Sequence, residues 1–92
     1  MDAVKSKKCL EVLNELLSES VPKRYYSLDG YGEEAICLEQ TDDAWTVYNG
    51  ERGQKFDEKT FDNVVEAAIE IIYRFRRYSP ELKQDFLNRI IL

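Results

Sequence analysis

Apolar and polar residues recur with a helical period in three stretches of the chain and with a strand period in one. In residues 2–20, Leu10, Leu13 and Leu17 fall on one stripe, widened by Cys9, Val12 and Leu16. Lys7, Lys8, Glu11, Glu15 and Glu19 take the other side. Recurrence at three and four residues predicts an amphipathic helix packed on a core. It ends at Val21-Pro22, because the residue before a proline is driven out of the helical region. A second helix is predicted from Phe61 or Asp62 to Arg77. Its apolar face is Phe61, Val64, Val65, Ala68, Ile71, Ile72 and Phe75, with Glu66, Glu70 and Arg74 opposite. Thr60 or Asp62 is its expected N-cap, Asp62 the better fit if Phe61 ends a strand. Arg74, Arg76 and Arg77 fall in its last turn, where the helix dipole favours cations without any ligand. Ser79-Pro80-Glu81 then opens a third helix, with Pro at the first helical position. Leu82, Phe86 and Ile90 form its stripe, with Leu87 and Ile91 beside them.

Between the first two helices the period drops to two. Residues 35–40 and 44–49 are rich in β-branched and aromatic residues, as strands are. With Asp42-Asp43 as the central turn residues, Leu38 faces Val47, Gln40 faces Trp45 and Ile36 faces Asn49. One face then buries Ile36, Leu38, Trp45 and Val47. The other, with Cys37 against Tyr48 and Glu39 against Thr46, is mixed and free to stay wet. A further reversal follows at Asn49-Gly50, a strong hairpin signal, or at Gly53. Arg24–Leu28 reads as a first strand, and residues 29–32 as a Gly-containing loop. Asp57-Glu58-Lys59 reads as polar and turn-like, with a short fourth strand between Gln54 and Phe61 as an option. The expectation is one α+β domain over residues 1–92. A small antiparallel sheet of three to four strands packs against an N-terminal helix and two C-terminal helices.

Charge narrows the partners. With 18 acidic and 13 basic residues the net charge is −5, which argues against nucleic-acid binding. The acids Asp29, Glu33, Glu34, Glu39, Asp42 and Asp43 run without an intervening Lys or Arg. Such a run is ordinarily a solvated edge; as a functional surface it would suit a basic partner. No apolar run approaches the ~20 residues of a membrane span. MDAVKSKK lacks the apolar segment of an export signal, so a cytoplasmic chain is expected.

The candidate chemistry is thin. There is no His, which removes the usual general base and most zinc sites. Cys9 and Cys37 fall on buried positions and are not expected to be reactive. Residues 29–32 lack the glycine pattern of a phosphate loop. Glu33/Glu34 and Asp42/Asp43 are carboxylate pairs without the spacing of a calcium loop. No enzyme activity, metal or cofactor is expected.

From Tyr26 onward the order of features resembles a known family. Tyr26-Ser27-Leu28 precedes a Gly-containing loop, and an acidic lead enters a strand. Trp45-Thr46-Val47-Tyr48 and Glu51-Arg52-Gly53 follow, then Lys55, and Phe61 before a helix carrying Glu66-Ala67. This is similar to small bacterial immunity proteins of polymorphic-toxin and contact-dependent growth inhibition systems, with their W-x-V-Y-x-x-E-R-G motif. The resemblance covers roughly residues 25–73. The chain departs from it in Asn49-Gly50 and in the helix after Pro80, and the resemblance favours the turn at Gly53. It implies a cytoplasmic protein, a monomer or weak homodimer alone, that binds and blocks one cognate toxin domain. A nuclease toxin would offer a basic cleft to Glu33, Glu34, Glu39, Asp42 and Asp43, with Tyr31 and Tyr48 as aromatic anchors. Trp45 and Val47 are expected in the core. Glu51, Arg52 and Gly53 are expected to fix a turn through a positive-φ glycine and an ion pair. The competing expectation is an acidic adaptor or a small homodimer that uses an exposed strand edge.

Overall fold

A computed structural model describes residues 3–91 and gives the chain an α+β fold. The elements are α1 (Ala3–Ser20), a 3-10 turn (Lys23–Tyr25), β1 (Tyr26–Ser27), β2 (Ala35–Thr41), β3 (Ala44–Glu51), β4 (Gln54–Phe61), α2 (Val64–Arg74) and α3 (Leu82–Ile91). Position 2, the expected start of the first helix, lies outside the described residues, as does the side chain of Ile91.

The sheet order is β1-β2-β3-β4. The β2–β3 hairpin has the register that the alternation predicts: Ile36 opposite Asn49, Leu38 opposite Val47, Gln40 opposite Trp45. Asp42 turns the chain in the left-handed region at φ 54°, which Asp tolerates. The next turn falls at Arg52-Gly53, with Glu51 opposite Gln54. Both turn residues have positive φ, 54° and 75°, which matches the twist of the flanking strands. Asn49-Gly50 stays inside β3.

Three expectations are corrected. The sheet is mixed, because β1 runs parallel to β2. Residues 23–25 coil into the 3-10 turn, leaving Tyr26 and Ser27 as the only paired residues of the expected Arg24–Leu28 strand. Asp57-Glu58-Lys59 is not a turn but the middle of β4. The pairing steps from Val47–Lys59 to Asn49–Phe56, so Tyr48 alone opposes Asp57 and Glu58. Asp57 takes φ 53° there. This is a β-bulge, and its extra residue reads in sequence as a loop.

The helices cover one face of the sheet. Leu13 and Leu17 of α1, Ala68 and Ile71 of α2, and Leu82 and Phe86 of α3 meet Leu38, Trp45 and Val47 in one core. A fully buried Leu or Ile stabilises such a core by about 1.5–3 kcal/mol. Trp45 and Val47 are core residues, as expected. Helix α2 starts later than predicted. Its cap is Asn63, whose side chain accepts a hydrogen bond of 2.9 Å from the Glu66 N–H; Thr60 lies within β4 and Asp62 just after it. Glu66 is exposed as expected, but Glu70 and Arg74 turn inward, with side chains only 14% and 10% exposed. Arg74 donates to Glu70 Oε2 (2.8 Å), to Asn49 Oδ1 (2.9 Å) and to the Asp57 carbonyl (2.6 Å). One guanidinium thus ties α2 to β3 and to the bulge of β4. No helix among the described residues is long and apolar enough to cross a membrane.

Candidate protein-binding face

The other face of the sheet carries no helix. By alternation it presents Cys37 and Glu39 from β2, Thr46, Tyr48 and Gly50 from β3, and Lys55 and Thr60 from β4. One end of it is closed by the loop that joins β1 to β2. Tyr31 of that loop stacks on Tyr48, with ring centroids 6.3 Å apart and planes at 20°. The Tyr31 hydroxyl donates to Glu33 Oε1 (2.6 Å) and accepts from the Gly53 N–H (2.8 Å). The Arg52 N–H donates to Glu33 Oε2 (2.6 Å), and the Gly53 N–H also reaches Oε1 (3.2 Å). Two successive amides of a positive-φ turn form a concave anion site, and Glu33 fills it. The loop is therefore strapped to the tip of the β3–β4 hairpin.

Under the strap lies a second, small core of Ala35, Cys37 and Tyr48. Tyr48 and Cys37 are fully buried. This corrects two expectations: this end of the second face is not wet, and Tyr48 is not an exposed anchor. The Cys37 sulfur accepts from the Gly32 N–H (3.2 Å), and burial pushes its thiol up. Burial likewise raises the Tyr48 phenol, helped by its hydrogen bond to Glu39. Tyr31 remains 40% exposed, so part of the residue is open to a partner.

The motif residues Glu51, Arg52 and Gly53 do fix a turn, but by a different bond. Among the described residues no ion pair joins Glu51 to Arg52. The turn is held by its backbone amides on Glu33, and the Glu51 and Arg52 residues are exposed.

The Tyr31 hydroxyl, with the turn amides, holds the Glu33 carboxyl below its ordinary value of 4.5. A carboxylate with a lowered folded value adds stability above its unfolded value and loses that contribution as pH falls through the folded one. Glu39 shifts the same way, through Tyr48 and Lys55. The Glu33→Gln variant is expected to melt several degrees lower than the parent at pH 7. That gap should narrow as pH falls below 4.5, where the parent loses the same interaction. Thermal melts of both proteins between pH 7 and pH 3 test this; a gap independent of pH would mean that the carboxylate charge does not hold the strap.

The acidic residues do not sit together. Asp29 lies beside the middle of β2, where the next residue's N–H bonds the Leu38 carbonyl (3.0 Å); Glu33 and Glu34 lie at the strap end. Asp42 and Asp43 lie at the opposite end of β2, about 20 Å away at ~3.3 Å per residue. The run from Asp29 to Asp43 is thus not one continuous surface, and Glu33 is consumed within the molecule. Instead Glu39, Asp42 and Asp43 converge with Glu58 and Asp62 on a shallow concavity of about 480 Å³. Lys55 is the single cation of its lining. It pairs with Glu39 (3.3 Å) and sits 5.0 Å from the centre of the Tyr48 ring. Thr46 and Thr60 hydrogen-bond across the strands at 3.1 Å. Glu58 and Asp62 were not named as site residues in sequence, because the strand that carries Glu58 to the concavity was only one option there and Asp57-Glu58-Lys59 read as turn-like.

Five carboxylates around one amine leave a negative, polar hollow on a rigid sheet. It offers electrostatic complementarity to a cationic surface. Among the described residues no three His, Cys, Asp or Glu side chains converge tightly enough to hold a metal ion. The chain matches no protein-family model, and comparison with curated proteins and with solved structures finds no similar protein.

Proposed function

We propose that this is an immunity protein, which binds a cognate bacterial toxin domain in the cytoplasm and blocks it without turnover. The observation that carries the reading is the acidic concavity of Glu39, Asp42, Asp43, Glu58 and Asp62 on the helix-free face. It stands on the strands that bear the W-x-V-Y-x-x-E-R-G resemblance. A nuclease domain has a basic substrate cleft, and opposite charge speeds encounter and fixes orientation. The exposed part of Tyr31 and the carboxylate of Glu34 would border the contact at the strap end. Glu33 and Tyr48 act indirectly, by shaping the surface.

The test is co-expression with the toxin domain encoded immediately upstream, followed by titration of the purified pair. The expected result is a one-to-one complex that protects cells and weakens steeply as salt rises. In that complex the triple variant Asp43→Lys, Glu58→Lys, Asp62→Lys is expected to lose at least tenfold in affinity at low salt. Asp42 is left in place, because its φ of 54° needs a residue that tolerates the left-handed region. Absence of a complex would overturn the immunity reading. A complex insensitive to the triple variant would overturn the role of the concavity alone.

A further inference from the structure

A second surface lies on the helix side of the sheet, at the edge opposite β1. β4 is the terminal strand, and no described residue pairs with its outer side. Seven of its eight residues are exposed. An open edge offers a row of unpaired backbone donors and acceptors. Beside it, between β4 and the outer flank of α2, runs an open groove of about 610 Å³. Phe61, Ile69 and Ile72 contribute its apolar lining, with Tyr73 and Pro80 beside them. Tyr73 is 55% exposed.

The charge at this groove is opposite to that of the molecule. Lys59, Arg76 and Lys83 line it, against Glu66 and Glu70. Glu70 is already matched by Arg74 at 2.8 Å, and Lys59 stands 3.8 Å from it with 61% of its side chain exposed. Arg76 is held in place, its guanidinium 4.0 Å from the centre of the Tyr73 ring and bonded to the Tyr73 carbonyl (2.9 Å). Three cations therefore face two carboxylates, of which Glu70 is shared between Lys59 and Arg74, so Arg76 and Lys83 give the groove a local positive balance in a chain of net charge −5.

We propose that this groove receives an extended acidic segment of another protein, which adds as a strand to β4 and seats one large apolar side chain against Phe61, Ile69 and Ile72. Strand addition takes affinity from main-chain hydrogen bonds and specificity from pockets for alternate side chains. Lys59 and Phe61 point to the helix side of the sheet. An added strand in register with them turns every second side chain toward the groove. The bulge at Asp57-Glu58 breaks the edge in the middle, which confines pairing to the Lys59–Phe61 end. That is the end the groove borders. A second copy of this chain is disfavoured, because it would bring another net charge of −5 to the contact. The site shares β4 with the acidic concavity, but its side-chain contacts at Lys59 and Phe61 lie on the opposite face from Glu58, Thr60 and Asp62, so substitutions on the two faces test the two sites separately.

The test is selection of peptides from a random displayed library on the full chain, followed by titration of the synthesised peptides by fluorescence anisotropy. The expected peptides are rich in Asp and Glu around a single Phe, Leu or Ile, and shift the amide resonances of residues 59–61. Arg76→Glu and Lys83→Glu, both at exposed positions, should each weaken binding severalfold, and together at least tenfold. Ile69→Glu should weaken it further, and its circular dichroism shows whether the fold survives. A backbone N-methyl group on the peptide residue that faces Thr60 should abolish binding. Recovery of no peptides, of basic ones, or of peptides that shift only the concavity would overturn the proposal. So would binding unchanged by N-methylation, or occupation of the edge by a second copy of the chain.

Discussion

Adding one methyl group at Gly50 is expected to cost about 3 kcal/mol, the upper end of the usual range for overpacking. The backbone of Gly50 lies directly beneath the strapped loop. A Cβ there would collide with the Gly32 carbonyl oxygen, and would stand 3.0 Å from the Tyr31 ring and 3.3 Å from the Cys37 sulfur. The loop has nowhere to retreat, because Tyr31 and Glu33 anchor it to the Arg52-Gly53 turn. Gly53→Ala is the informative control. Its Cβ meets nothing within 4 Å, and only the φ of 75° opposes it, at about 1–2 kcal/mol. Urea denaturation of the two variants should show Gly50→Ala losing clearly more. Equal losses would mean that the loop does not press on β3.

The second large effect is expected at Arg74. Its three bonds join α2, β3 and the bulge, and its side chain is nearly buried. Arg74→Ala leaves Glu70 with only the longer, exposed contact to Lys59 (3.8 Å) and is expected to destabilise the fold by about 3 kcal/mol, the lower end for loss of one partner of a buried pair. Arg74→Lys should recover only part of this, since an ammonium does not reproduce the planar fork. The double variant Glu70→Gln, Arg74→Ala should lose less than the two single losses added together, because the second change removes a charge whose closer partner is already gone. Strict additivity in chemical denaturation would mean that the two side chains do not act as a pair.

The elements legible in sequence were those with one buried face. The β2–β3 register follows from the alternation of Ile36, Leu38, Trp45 and Val47, because slipping by one residue would turn that set to solvent. The three helices follow from their apolar stripes. β4 was legible only as an option over Gln54–Phe61, for the same physical reason. An edge strand exposed along most of its length has no buried set to alternate, so Asp57-Glu58-Lys59 reads as a loop. The Asn63 cap carried a signal that composition alone hides: Asn63 and Glu66 stand three apart, the spacing of a capping box. Asn49-Gly50 misleads because Gly50 is needed for closeness to the loop and not for a turn. The burial of Tyr48 depends on Tyr31, which reaches it from an irregular loop that no periodicity describes. The acidic site was half legible. Asp42, Asp43 and Glu39 lie in it, whereas Glu33 is spent on the strap and Glu58 and Asp62 arrive through the strand that was only an option in sequence.

The strap also gives the hairpin tip an unusual kinetic signature. Amide hydrogens at the end of an exposed hairpin ordinarily trade with deuterium almost as fast as in a free peptide. Those of Arg52 and Gly53 are instead bonded to Glu33 and Tyr31, residues about twenty positions earlier in the chain. Their exchange waits on release of the loop and not on unfolding of the sheet. These two protons therefore time a local opening that leaves β2 and β3 paired, and their rates, set beside those of Leu38 and Val47, separate that opening from global unfolding.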